Sequence, residues 1–208
     1  MTERRTAILE AAARALARRG VRGLRVDELA AEAGVSTALV YYHFKDRAGL
    51  LGSTLDFMAG RSRRTAADRA GSGGPADAHE LLELALLGEF QEVPEVREAG
   101  TAWSELRAGA IFEPALRTAL AEAGGVWIRE VAELLALVRP AAGAAALGAA
   151  AERLTALREG LNARRFSGVL HPGHARELMR EAIRAELAHL PQGVPSDIGR
   201  DPLPARVV

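Results

Sequence analysis

Tyr41, Tyr42 and His43 stand in a row, with Lys45 and Arg47 at the next alternate positions. Three rings with polar tips beside two cations make an odd face to show to water. They suit a phosphate backbone: hydroxyls and ring edges press on phosphates, sugars and thymine methyls while the cations neutralise charge. The reading depends on which way the element carrying them faces. Val40 and Phe44, four residues apart, give a helix here one anchoring side. That leaves Thr37, Ala38, Tyr41, Tyr42 and His43 for the outer face.

Other chemistries have little to work with. The 208 residues include no cysteine, which excludes disulfides, thiolate metal sites and cysteine nucleophiles. His79, His171, His174 and His189 are scattered, and no His-Glu-x-x-His pair stands among them. His171-Pro172-Gly173-His174 has the look of a metal clip, but Pro172 places it at a helix start, where a capping role is expected. No catalytic residue, metal or cofactor is therefore expected, and a small helical enzyme is the remotest alternative.

The formal net charge is zero, yet residues 1–69 hold 13 Arg and Lys against 8 Asp and Glu, whereas residues 70–208 hold 14 against 19. Only one end of the chain is expected to meet a polyanion. A purely architectural DNA-binding protein would need a broader basic surface. No stretch approaches the ~20 apolar residues of a membrane span, and Met1–Arg5 leads into an amphipathic helix rather than a secretion signal. The expectation is a cytoplasmic protein without membrane contact.

The elements that must position these residues read as helices throughout. Scarce aromatics and plentiful Ala, Leu, Arg and Glu favour them. Ile8, Leu9, Ala12, Ala13, Leu16 and Ala17 form one stripe over 6–19, which Gly20 ends. A short helix over 26–33 closes at Gly34, a left-handed cap position. Ser36 caps a two-turn helix from Thr37 to Phe44. Asp46 caps a fourth helix, reaching about Arg69. Gly71-Ser72-Gly73-Gly74-Pro75 reads as a linker. Beyond it, helices are expected over 77–92, 95–110, 114–138 (interrupted at Gly124-Gly125), 140–165 and 172–190. The two short helices with their glycine turn form a helix-turn-helix, whose second helix enters the major groove. The predicted fold is all-α. Residues 1–47 form a three-helix DNA-binding domain, 48–190 a six-helix ligand-binding and dimerisation domain, and 191–208 a disordered tail.

The run Ile8-Leu9-Glu10-Ala11-Ala12, Gly20, Leu29-Ala30, Ala33-Gly34-Val35-Ser36, Tyr41-Tyr42-His43-Phe44, a cation and Leu50 resembles the DNA-binding domain of the tetracycline-repressor (TetR) family. The resemblance covers about residues 6–51. It implies base and groove contacts from Ser36, Thr37, Ala38, Tyr41, Tyr42 and His43, with phosphate contacts from Lys45 and Arg47. Ala38 stands where the family often has Gly, and Arg47 replaces the usual Lys. Arg25 stands where a Thr commonly caps the second helix, so the cap is lost while a guanidinium remains in reach of phosphate. Residues 95–138 are loosely similar to the BetI-type subgroup.

A head this small binds weakly alone, and two copies held about 34–36 Å apart double its contacts. Leu147, Leu154, Leu157 and Leu161, with Met179, Ile183 and Leu190, repeat at spacings of three and four and are expected to pack against a second copy as an intersubunit bundle. The alternative is that they close the protomer's own core. Phe90, Trp103, Phe112, Trp127 and Phe166, with Glu105 and Arg107 for polarity, are the candidate lining of a small-molecule cavity. The resulting expectation is a homodimer that binds a double-stranded operator and releases it when an effector binds. An activator built on the same head is the nearest alternative. The fourth helix is expected to carry the signal.

Overall fold

The computed structural model describes residues 3–71 and 77–192, and among these it forms nine α-helices and one short 3-10 turn. Of the expected linker Gly71–Pro75, Gly71 is the last residue of a helix, and the rest, with most of the expected tail, falls outside the described residues.

The first three helices are α1 (Glu3–Arg19), α2 (Val26–Glu32) and α3 (Thr37–Phe44). Ile8, Leu9, Ala12 and Leu16 of α1 are fully buried, as their spacing predicts. Gly20 ends α1 at φ +70°, and Gly34 follows α2 at φ +67°; both are in the left-handed region that glycine reaches without strain. Arg4 and Arg5 belong to the first turn of α1, and the Arg5 guanidinium lies 5.2 Å from the centre of the Phe44 ring.

Helix α4 (Arg47–Gly71) starts from a side-chain cap: Gly49 N–H donates to Asp46 Oδ1 at 2.7 Å. Then come α5 (Ala78–Leu87), the 3-10 turn Gly88–Phe90, α6 (Pro94–Ala110), α7 (Ala115–Val138), α8 (Ala144–Phe166) and α9 (Pro172–His189). Two expectations need correction. Helix α7 runs unbroken through Gly124-Gly125, because leucine, alanine and valine on both sides outweigh the ~1 kcal/mol each glycine costs. Pro140 opens no helix; it sits in a turn, and α8 begins at Ala144 behind Gly143. The histidine cap is present: Gly173 N–H donates to His171 Nδ1 at 3.2 Å.

Two hydrophobic cores result. The first joins α1–α4 to Ala102, Leu106 and Ala110 of α6 and Leu116 of α7. The second joins Leu82, Leu86 and Phe90 to Val131 and Leu135 of α7, Leu147, Leu154 and Leu161 of α8 and Met179 and Ile183 of α9. Residues 1–47 thus share a core with α6, far along the chain. Leu84 of α5, in contrast to its neighbours Leu82 and Leu86, is 48% exposed.

Within the head, Arg14 Nε donates to Glu32 at 2.8 Å and Arg18 binds its other oxygen, tying α1 to α2. The hydrogen bond from Arg14 holds the Glu32 carboxyl below the ordinary carboxylate range. A carboxyl lowered in the folded state stabilises the fold above its unfolded pKa and loses that contribution as pH falls through its folded one. Thermal melts of the protein should therefore show stability falling on acidification below the usual carboxylate range. The same melts of Glu32→Gln should show a shallower fall and a small loss at neutral pH.

Candidate nucleic-acid interface and ligand cavity

Helix α3 is built to be seated from one side. Ser36 caps it, with Leu39 N–H donating to Ser36 Oγ at 3.2 Å. Val40 and Phe44 are 1% and 4% exposed and lock it to α1, α2 and α4. The opposite side carries Thr37, Ala38, Tyr41 and Tyr42, all exposed, with Tyr42 at 81%. His43 is half-buried, and its ring meets Tyr42 edge-on at 5.4 Å. The structure therefore brings Ser36, Thr37, Ala38, Tyr41, Tyr42 and Lys45 onto one outward surface.

Lys45 ends the helix in an unusual way. Its φ of 65° and ψ of −58°, with Asp46 N–H donating to Phe44 C=O at 2.8 Å, make a γ-turn of the strained, positive-φ kind. A non-glycine residue there costs on the order of 1–3 kcal/mol. The sharp reversal lets α4 start at once and presents the lysine at the end of that outward surface.

Arg47 and Arg25 are placed differently from the expectation. Arg47 donates to Glu113 Oε1 at 2.7 Å and also to the backbone carbonyl of Val21. It is a strut between the head and the α6–α7 turn, and a phosphate contact would require it to leave both partners. Arg25 makes no side-chain cap on α2, as its type predicts; it lies 3.5 Å from Asp27 and from Glu28 at the surface.

The body holds a cavity of about 370 Å³, between α4, α6, α7, α8 and the 3-10 turn. That is large enough for a small organic molecule. Of the seven expected lining residues, Trp103, Arg107 and Trp127 line it, joined by Glu89, Leu120, Gly124, Glu130, Arg158 and Glu159 among others. A Cβ on Gly124 would meet open space. Arg107 donates to Glu159 at 2.5 Å, and Arg158 pairs with Glu89 at 3.3 Å. Burial lowers the Arg107 pKa and Glu159 opposes that shift. Nothing in the periodicity marked Arg158 as special; a cation at a position that should face the core was the available signal.

Four expected lining residues lie elsewhere. Phe90 is buried in the second core. The Phe166 ring fills the space over Gly100 and stacks on Arg165. Phe112 is 69% exposed, covered on one face by Arg22. Glu105 faces the head and accepts from Val21 N–H at 3.2 Å. The cause is helical geometry: Glu105 is two residues from both Trp103 and Arg107, so it points to the opposite side of α6.

The expected subunit-interface residues also change role. Leu147, Leu154, Leu161, Met179, Ile183 and Leu190 are all at most 7% exposed within one protomer, whereas Leu157 is 37% exposed. Their repeat closes the protomer's own core, so those six are not available to a second copy. Among the described residues, no group of His, Asp and Glu is placed to hold a metal ion, and no helix is long and apolar enough to cross a membrane.

Gly20 lies where the head meets α6. A Cβ there would sit 2.4 Å from Glu105 Oε2, on a backbone already at positive φ; at Gly34 the φ is similar but nothing lies within 4 Å. Gly20→Ala should therefore cost more stability than Gly34→Ala, about 2–3 kcal/mol against about 1 kcal/mol, measured by urea unfolding.

Comparison with known proteins gives a consistent set of relatives. The sequence model of bacterial regulatory proteins, tetR family, matches residues 8–54. A TetR-family transcriptional regulator from Rhodococcus sp. has a crystal structure with a TM-score of 0.80 to this one. It is 41% identical over 90% of this chain and 100% of that chain. A transcriptional regulator from Saccharomonospora viridis, crystallised in complex with choline, has a TM-score of 0.74 at 24% identity, covering 88% of this chain and 97% of its own. At that identity the shared feature is the fold. The HTH-type transcriptional regulator BetI of Escherichia coli is 26% identical over 113 residues, which are 54% of this chain and 58% of BetI. The match thus spans little more than half the length of that relative.

Proposed function

Because the chain belongs to the tetR family of bacterial regulatory proteins, we propose that it binds a double-stranded operator as a homodimer and releases it when a small molecule fills the α6–α8 cavity. Residues 1–47 supply the DNA contacts and residues 48–190 the effector site and subunit contacts. The observation that carries this reading is the exposed Thr37–Tyr42 face on a helix whose other side is locked by Val40 and Phe44. Large apolar rings left in water on a rigid helix end are in place for groove contact. The choline bound to the Saccharomonospora regulator supports a small-molecule effector. The reading is a repressor; an activator would use the same head.

The route from cavity to head is short. Helix α6 carries Trp103 and Arg107 on its cavity side and Glu105 on its head side. An effector that binds more tightly to a shifted α6 would move the Val21 backbone with it, and only such differential affinity alters operator binding. Ala59 of α4 also lines the cavity, so α4 shares the task.

For dimerisation, the outward face of α8 offers small and apolar residues: Ala149, Ala156, Leu157, Gly160 and Ala163 are all exposed. Small residues there let a second copy approach closely, with Leu157 as the apolar contact. Leu157→Glu should give a folded monomer in sedimentation velocity, and its operator affinity should fall by more than tenfold.

Genome-wide operator selection with the purified protein tests the whole reading; a protein without sequence preference would end it. On the selected site, Tyr42→Ala should weaken binding about tenfold, in line with the ~1–3 kcal/mol of a good base or groove contact, with an unchanged melting temperature. Lys45→Gly should separate two effects. It relieves the γ-turn and stabilises the fold by about 1 kcal/mol, yet weakens binding and lowers the salt slope by about one. Arg47→Ala should act mainly on stability.

A further inference from the structure

Helix α3 consists of Thr, Ala, Leu, Val, Tyr, Tyr, His and Phe. It carries no amide, guanidinium, ammonium or carboxylate. Those are the groups that tell bases apart by paired hydrogen bonds: Arg or Lys on guanine, Asn or Gln on adenine, Asp or Glu accepting from cytosine. The cations around the helix do not make up for this. Lys45 follows its C-terminal end, whereas a recognition helix meets base edges with its N-terminal residues. Arg25 lies against Asp27 and Glu28, and Arg47 is held by Glu113 and the Val21 carbonyl.

The polar groups that remain discriminate poorly. Ser36 Oγ is engaged as the helix cap. The hydroxyls of Thr37, Tyr41 and Tyr42 can both donate and accept, so they suit a phosphate or any base. His43 is half-buried, with its ring edge-on to Tyr42. What can select a base here is apolar. Thr37 and Ala38, both exposed in the first turn of α3, present one methyl group each. In the major groove only thymine offers a methyl group in return.

We infer that this head selects its operator through thymine C5-methyl groups, met by the methyl groups of Thr37 and Ala38, with no paired hydrogen bonds from α3 to any base. This rests on α3 being the groove-facing helix of the proposed function.

The test uses the full-length protein on the site found by operator selection. Each thymine of one half-site is replaced in turn by deoxyuridine, which removes the methyl group and keeps every hydrogen-bonding group. At one or more positions the affinity should fall about fourfold, the worth of burying one methyl group. Ala38→Gly and Thr37→Ser remove the protein's methyl groups, and serine keeps the hydroxyl. Each variant should bind the thymine site about fourfold more weakly than the unaltered protein, and each should no longer register the change to deoxyuridine at one of the sensitive positions. The two DNAs are compared on the same variant, so an effect on folding cancels. Indifference to deoxyuridine at every thymine would overturn the inference, as would losses that persist unchanged in both variants. A protein with no preferred site ends the operator reading itself, whereas a preferred site that ignores the methyl groups ends only the thymine readout.

Discussion

The backbone of one residue, Val21, is where the two halves of the molecule are fastened. Its N–H goes to Glu105 of α6 and its carbonyl receives Arg47 at the start of α4, while its side chain packs on Gly109. Buried backbone groups must find partners, and here both partners come from elements that reach the cavity. The orientation of α1 and α2, and through them of α3, is thus set by side chains on the body. Gly20 belongs to the same arrangement, because only a residue without Cβ allows Glu105 to come so close.

This fastening explains why the head was legible in the sequence and much of the body was not. The helix-turn-helix is made by local rules: a left-handed glycine after α2, a serine cap, and an i,i+4 pair facing inward. Each of these is decided within a few residues. The limits of α3 and the burial of Val40 and Phe44 followed from them. The γ-turn at Lys45 did not, since nothing in a lysine's type favours positive φ; it comes from the need to bring α4 back under α3.

In the body the pattern shows that a residue is apolar and repeats, but not what it packs against. Leu147, Leu154 and Leu161 have the same spacing whether they face a partner subunit or the neighbouring helix, and they face α7 and α9. Aromatic rings gave a poor guide to the cavity for a similar reason. Phe90 and Phe166 fill space, and Phe112 sits outside, whereas Arg158 and Glu159 were hidden in a helix read only for its leucines. Gly124-Gly125 seemed a break and is continuous helix beside the cavity, where missing side chains leave volume.

The first core has a consequence for how such proteins can be recombined. Leu106 and Ala110 of α6 complete the packing of α1, so a cut after residue 47 removes part of the structural support of the DNA-reading unit. A chimera that joins this head to a foreign body would expose Ile8, Leu9 and Leu16 unless α6 travelled with it. The transferable module here is discontinuous, made of α1–α4 together with α6. Exchange of operator specificity is therefore easier by replacing the outer residues of α3 than by swapping the N-terminal segment as a block.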